Sequence, residues 1–308
     1  MKRALISGIT GHLGRELSDQ LAANGFEVHG LTRQEISQAA QGTHLPRLHR
    51  IDERTETLIA VLDKVRPQTV FHLAAMNRRE HDPRDIAPLV QANVLFGAQL
   101  LEAMRVRGCS RLIMAGSCLQ HVGPEGDRAA NLYAATKQAF ESLLKYYVDA
   151  FNFSAIWLTL SHVYGEHHAR STLMTDIAAA WKQRSSLTLL NPNARVDLVH
   201  VEDAARAFVQ AAAMLEESAA QGRLLRYSVT SGQDTSATEV VRMFERLGSR
   251  RLILKTGEPE RPWRSMRPWR GNVMPGWVPR ISLEEGILRI LEHADGLVDL
   301  RASLSGGS

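Results

Sequence analysis

Cysteine is scarce in this 308-residue chain: only Cys109 and Cys118 are present. Two cysteines make neither a disulfide framework nor a zinc pattern, so a reducing, cytoplasmic setting is expected. Long apolar runs are missing as well. The run in "MKRALISGITG" stops at Gly8, too short for the apolar core of a signal peptide. No stretch approaches the ~20 apolar residues of a membrane-spanning helix, and no membrane association is expected. There is no internal repeat and no low-complexity linker. A basic arm is also lacking. Lys and Arg number 37 against 33 Asp and Glu, an excess of four, so nucleic acid is not expected as a partner. The basic residues are mostly arginine, whose planar fork suits phosphate and carboxylate on a small molecule. His167 and His168 are adjacent but lack carboxylate partners. They read as an exposed loop, and no metal is expected.

What is present is ordinary globular composition, 44% hydrophobic and 23% charged. The length allows one large domain or two unequal lobes. "RALISGITGHLGRELSDQLAANGFEVHGLTR" reads as strand, tight glycine turn, helix, strand, with Leu13, Leu17 and Leu21 at helical spacing and Gly25 as the stop. Further strands are predicted at 69–75, 111–117 and 155–161, with helices at 55–65, 86–106 and 131–150 between them. Alternating strands and helices predict an α/β fold with a doubly wound parallel sheet. After Gly165 the texture changes: a helix over 172–183, a short strand "LTLL", mixed segments, and a helix over 282–294. The chain therefore divides into a dinucleotide-binding domain over 1–165, with part of 195–230, and a smaller interleaved mixed α/β lobe over 166–194 and 231–303. A flexible tail at 304–308 follows.

Gly8, Gly11 and Gly14 form G-x-x-G-x-x-G between a strand and a helix. Glycines there let the backbone turn tightly and approach a pyrophosphate, while the helix N-terminus supplies N–H donors and its positive dipole end. An NAD-binding second strand is expected to end in an acid that accepts from the ribose 2′-OH. "EVHGLTR" instead ends in Thr32 and Arg33. The missing carboxylate and the available guanidinium favour a 2′-phosphate, hence NADP(H) over NAD(H). Asp52, in "HRIDERT", either accepts from the adenine amino group or caps the next helix.

"NLYAATKQAFE" places Tyr133 and Lys137 four residues apart, on one helix face. An ammonium beside a phenol favours the phenolate, so the pair suits proton exchange with a hydroxyl or carbonyl near neutral pH. Taken in order, "GITGHLG", "VFHLAA", "NLYAATK", "HVYG" and "RVDLVHVED" make the chain similar to the extended short-chain dehydrogenase/reductase family, nucleotide-sugar branch, from about residue 3 to 292. "LSHVYG" and the tyrosine helix resemble the CDP-hexose 4-ketoreductases of the abequose and paratose type. The resemblance implies Tyr133 as general acid/base, Lys137 as its electrostatic partner and a hold on the nicotinamide ribose, and Ser117 as donor to the reacting oxygen. It adds Ala74 and Asn93 to the cofactor's surroundings. Arg195 is implied as the grip on the nucleotide diphosphate, the alternative being a surface ion pair with Asp197. His162 either touches substrate phosphates or packs in a core. A homodimer pairing the helices at 86–106 and 131–150 is implied too.

Two departures stand out. Tyr133 follows Ser117 by only 16 positions, which trims the loop "LQHVGPEGDRAA". The acidic pair of the 4,6-dehydratases is absent after Ser117, so elimination of water is not expected. "ERPWRSMRPWRG" (260–271) offers arginines and tryptophans for a nucleobase and phosphate. The expected activity is NADP(H)-dependent reduction of a keto group at C4 of a nucleotide-linked sugar. A sugar epimerase with retained cofactor is the alternative, and a non-catalytic dinucleotide sensor a second one.

Overall fold

The computed structural model describes residues 1–35, 46–122, 126, 128–168, 171–217, 221–257, 269 and 271–294. The tail and most of the arginine–tryptophan stretch lie outside these. The described chain forms two compact units. The first comprises Met1–Leu160, Ala204–Val229 and Gly271–Trp277; the second comprises Ser161–Asp203, Thr230–Arg270 and Val278–Ser308.

In chain order the first unit begins β1 (Lys2–Ser7), α1 (His12–Ala23), β2 (Phe26–Thr32), β3 (Arg47–Arg50), α2 (Thr55–Val65) and β4 (Thr69–His72). It continues with α3 (Ile86–Val90), a π turn (Gln91–Leu95), α4 (Phe96–Val106), β5 (Arg111–Ser117), α5 (Leu132–Phe151) and β6 (Ser154–Leu160). The chain then runs through β7 (His162–Tyr164), α6 (Leu173–Gln183), β8 (Ser186–Leu189), β9 (Arg195–Val196) and β10 (Leu198–His200). α7 (Val201–Glu216), β11 (Leu224–Val229), β12 (Thr235–Ser236), α8 (Ala237–Leu247), β13 (Ile253–Thr256) and α9 (Leu283–Ala294) complete it.

The first unit is built on a seven-stranded sheet in the order β11-β6-β5-β4-β1-β2-β3, with every neighbouring pair parallel. Strands covered on both faces need unbroken apolar runs, and "ALIS" in β1 is buried throughout. One face is covered by α2, α4 and α5. Leu58, Leu62, Leu100, Leu101, Phe140 and Leu144 pack there on Val70, Leu112, Met114 and Trp157. Each such side chain, fully removed from water, contributes about 1.5–3 kcal/mol. The winding direction reverses between β1 and β4. That is the switch point at which open α/β sheets bind ligands, beyond the carboxyl ends of their strands. β4 ends at His72, short of the expected 75, because the chain leaves the sheet there after a last ladder bond from Leu73 N to Ser7 O at 3.0 Å.

The expected helix over 86–106 is found as α3, the π turn and α4. With the 3₁₀ turn before it, this helix runs from Pro83 to Val106, 24 residues that are long and apolar enough by length and composition to cross a bilayer. No stretch of that kind was expected from the sequence. One of its faces nonetheless packs inward through Leu89, Leu100, Leu101 and Met104, while Ile86, Val90, Leu95 and Val106 are exposed. The π turn places Asn93 in the interior, 2% exposed. Such one-turn bulges concentrate at functional sites.

In the second unit α6, α8 and α9 enclose a core of Tyr164, Ile177, Trp181, Val240, Phe244, Ile287 and Ile290. Three two-stranded ladders, β10-β7, β12-β9 and β13-β8, border it.

Candidate functional site

The glycine turn has a backbone that admits no side chain at two of its three glycines. Gly8 lies at φ +78°, and a Cβ there would stand 2.7 Å from Ala74 N. A Cβ on Gly14 would stand 2.2 Å from Gly8 O. Gly11 is more tolerant, its Cβ meeting Gly8 O at 3.2 Å. The turn is closed by Gly11 N donating to Gly8 O at 3.0 Å. α1 then starts with Gly11 as its N-cap, with no side chain capping it and no acid in its first turn. Its first N–H groups and positive dipole end are thus uncovered by a carboxylate, as a pyrophosphate requires. Ala74 completes the wall: its N donates to Ser7 Oγ at 3.3 Å. Ser7 Oγ also bonds His72 Nδ1 at 2.6 Å. Burial, helped by the charge on Lys137, pushes the His72 imidazole down to about 3, so it is neutral. These residues fit a nicotinamide dinucleotide.

At the end of β2, Thr32 is buried and its Oγ1 accepts from Gln34 N at 3.1 Å. Arg33 is exposed. Arg50, paired in register with Thr32, is also exposed and lies 3.7 Å from Glu35. No carboxylate belongs to the strand end itself. Asp52 bonds its near neighbours without capping α2, which has Arg54 as N-cap and no side-chain cap: it accepts from Arg54 N at 2.9 Å, Arg54 Nε at 2.8 Å and Thr57 Oγ1 at 2.6 Å. The bond from Thr57, then those from Arg54, hold its carboxyl down at about 2.

Tyr133 sits in the first turn of α5, 8% exposed, behind the N-cap Asn131, whose Oδ1 accepts from Ala134 N at 2.9 Å. Lys137, one turn on, is 2% exposed; its Nζ donates to Ala115 O at 2.9 Å and lies 6.0 Å from the centre of the Tyr133 ring. A buried strap joins this helix to the chain after β4. Thr136 Oγ1 donates to Tyr133 O at 2.7 Å and accepts from Asn93 Nδ2 at 2.9 Å. Asn93 closes on Met76, taking its N–H at 2.8 Å and giving to its O at 2.9 Å. Ser117 ends β5, 9% exposed; its Oγ accepts from Leu119 N at 3.3 Å, the local bond a strand-end hydroxyl readily makes. Its N donates to Oε1 of Gln120 at 2.8 Å, and Gln138 Nε2 on α5 donates to Gln120 O at 2.7 Å. The sequence reading missed Thr136 and Gln120. Thr136 lies inside the tyrosine motif, where a hydroxyl three residues after a tyrosine was the available signal. Nothing local marks Gln120.

Burial drives the Lys137 ammonium down from its ordinary 10.5 to about 7. Between those values the unfolded chain holds a proton that the native chain does not, so this group makes stability rise with pH from about 7 to 10.5. Below that window both states are protonated and the full cost of burying the charge applies. The unfolding midpoint in urea is expected to rise from pH 7 to pH 9 more in the native chain than in Lys137→Met. Equal rises would contradict the shifted lysine.

In the second unit, His162 is exposed at the start of β7 and is not a packed core residue; its N donates to Asp197 O at 3.0 Å. Arg195 is exposed and its guanidinium donates to Asp234 O, not to Asp197. Asp197 is only 1% exposed and accepts from Thr230 Oγ1, from Ser231 N at 2.8 Å and from Gly232 N at 3.1 Å. The ion pair considered for Arg195 is therefore replaced by a buried loop anchor. The rings of His167 and His293 meet at 4.5 Å. Among the described residues no group of three or more His, Cys, Asp or Glu is arranged to hold a metal ion.

A parallel sheet with a side-chain-free glycine turn at its switch point and a buried tyrosine–lysine helix beside it defines an enzyme of the extended short-chain dehydrogenase/reductase type. The chain matches the NAD dependent epimerase/dehydratase family over residues 4–229 and belongs to it. It is 26% identical over 324 residues to a UDP-glucose 4-epimerase of Mycolicibacterium smegmatis, covering 94% of this chain and 97% of that one. It is 28% identical over 308 residues to the dTDP-6-deoxy-L-talose 4-dehydrogenase (NAD(P)(+)) of Kitasatospora kifunensis, covering 92% and 93%. In fold it is similar to Thermus thermophilus UDP-glucose 4-epimerase complexed with NAD, with a TM-score of 0.80 at 24% identity over 96% of this chain and 99% of that one.

Proposed function

We propose that this enzyme epimerises C4 of a nucleotide-linked hexose with a retained nicotinamide dinucleotide. The observation that carries the reading is the buried Tyr133–Lys137 pair, tied through Thr136 and Asn93 to the chain after β4. Full-length similarity to a UDP-glucose 4-epimerase supports it. Gly8, Gly11, Gly14 and Ala74 would hold the cofactor's phosphates, and Lys137 its ribose. When bound, the nicotinamide accepts and returns the hydride. Tyr133 takes the proton of the 4-hydroxyl as the carbonyl forms and gives it back on the opposite outcome, with Ser117 donating to the same oxygen. Arg195 and His162 would contact the nucleotide's phosphates.

This reading displaces net reduction by NADPH, the first expectation from the sequence. Reduction stays as the second reading, favoured by one observation: the end of β2 offers Thr32 and Arg33 where a carboxylate would select NAD. One experiment separates them. Incubated with UDP-glucose, the enzyme is expected to yield the 4-epimer, resolved by chromatography, without consuming added NADPH or NADH. Stoichiometric NADPH loss on 4-keto nucleotide sugars, with no epimer formed, would replace epimerisation by reduction. The exposed Ile86, Val90 and Leu95 on one helix and Tyr146 on α5 support a homodimer through this face. Light scattering of the native chain is expected to give twice the 34.2 kDa chain mass, and Leu95→Glu the monomer.

A further inference from the structure

Two ties hold the end of β5 against α5. Lys137 makes the first by donating to Ala115 O, as described above. The second ends on Ser117, two residues further along the strand, and runs through Gln120. Gln120 closes the 3₁₀ turn Cys118–Gln120 that follows β5, and it is 0% exposed. An amide costs free energy to bury unless its groups are paired. Here Oε1 accepts from Ser117 N at 2.8 Å, the backbone O accepts from Gln138 Nε2 at 2.7 Å, and Nε2 donates to Glu141 Oε2 at 3.5 Å. Glu141 is itself fixed, its Oε1 accepting from Arg226 Nε of β11 at 2.5 Å. Closing the turn needs only Oε1. The other two bonds reach α5, where Glu141 follows Tyr133 and Lys137 at four-residue spacing on one stripe of the helix.

These partners fix which way the amide points. A carboxylate only accepts and a backbone N–H only donates, so Nε2 must face Glu141 and Oε1 must face Ser117. Ser117 is thereby held through its backbone, which leaves its side chain for chemistry. Its Oγ accepts from Leu119 N at 3.3 Å, and the hydroxyl hydrogen remains to donate to a substrate oxygen. We propose that Gln120 is a positioning residue: it locks Ser117 to the tyrosine helix so that the Ser117 hydroxyl and the Tyr133 phenol meet one substrate oxygen. The need is geometric. The two hydroxyls come from different elements, and a misplacement of about 1 Å can cost on the order of a hundredfold in rate. The inference rests on the reading that both groups act on the same oxygen, and not on whether the reaction is epimerisation or reduction.

Gln120→Met keeps the length of the side chain and removes both amide bonds. It is expected to lower kcat about ten- to a hundredfold while KM stays within about twofold of native. In a Ser117→Ala background the same substitution is expected to cost less than about twofold more, because the group it positions is gone; losses at independent sites would multiply. Tm is measured for each variant. Should Gln120→Met fail to fold, Glu141→Gln supplies the second readout. It removes the carboxylate that aims the amide and is expected to lower kcat severalfold. Adding Gln120→Glu to it is expected to restore kcat, since the new carboxylate accepts from both Ser117 N and the new amide. Turnover is followed in whichever mode the native chain supports, epimer formation or NADPH consumption, so replacement of one reaction by the other leaves the test intact. A kcat within about twofold of native in Gln120→Met overturns the inference, as do losses that multiply in the Ser117→Ala background. Native kcat in Ser117→Ala alone, or a native chain active in neither mode, removes the reading of Ser117 and the inference together.

Discussion

Tyr133→Phe is expected to lower kcat by about a hundred- to ten-thousand-fold, the range a positioned acid/base supplies, while leaving cofactor affinity and Tm unchanged. The substitution removes one oxygen and keeps the ring, which is 8% exposed in the first turn of α5. The helix that carries the residue is held by bonds independent of that oxygen. Asn131 caps the helix, Thr136 holds the Tyr133 carbonyl, and Lys137 stays bonded to Ala115 O. Loss of turnover with intact binding therefore reports proton transfer alone. Turnover within a few-fold of native, measured by epimer formation under saturating substrate, would remove Tyr133 from the chemistry. A non-catalytic sensor instead predicts no epimer from the native chain.

Gly14→Ala is expected to be strongly damaging. The new Cβ would stand 2.2 Å from Gly8 O, 2.7 Å from Ile9 Cα and 2.9 Å from Gly8 C. All three are backbone atoms of the turn itself, so relief requires moving the turn off the helix. Overpacking of this kind costs typically 1–3 kcal/mol, or roughly 2–5 °C in Tm for a chain of this size. Because the displaced turn is the phosphate cradle, cofactor affinity should fall with it. Gly11→Ala is the control. Its Cβ would meet only Gly8 O, at 3.2 Å, so Tm should hold while cofactor binding weakens where the backbone must approach the pyrophosphate. Differential scanning fluorimetry with and without cofactor reads both quantities. Equal Tm losses for the two variants would refute the packing argument.

Much of the first unit was legible in the sequence because its signals are local. The apolar run of β1, the leucine spacing of α1 and the glycines between them each follow from neighbours a few residues apart. The predicted helix over 55–65 and strand over 111–117 coincide with α2 and β5. Tyr133 and Lys137 were legible for the same reason, since i and i+4 share a face on any helix. Less was legible after Tyr164. The second unit is made of two- to four-residue strands, too short for a period of two to declare itself. One of the two neighbours of β6 on the sheet is β11, more than 60 residues further on. The π turn was invisible too, because one extra residue in a helical turn leaves the apolar pattern almost unaltered, yet it turns Asn93 into the interior.

By itself the sequence determined a doubly wound sheet, a glycine turn for a dinucleotide and a tyrosine–lysine helix, because each depends on spacing within one element. Only the tertiary structure decided that Asp197 anchors a loop instead of pairing with Arg195, and that Lys137 is buried deeply enough to lose charge near neutral pH. Those outcomes depend on which groups distant in the chain exclude water from one another, and solvent exclusion is a property of the packed fold.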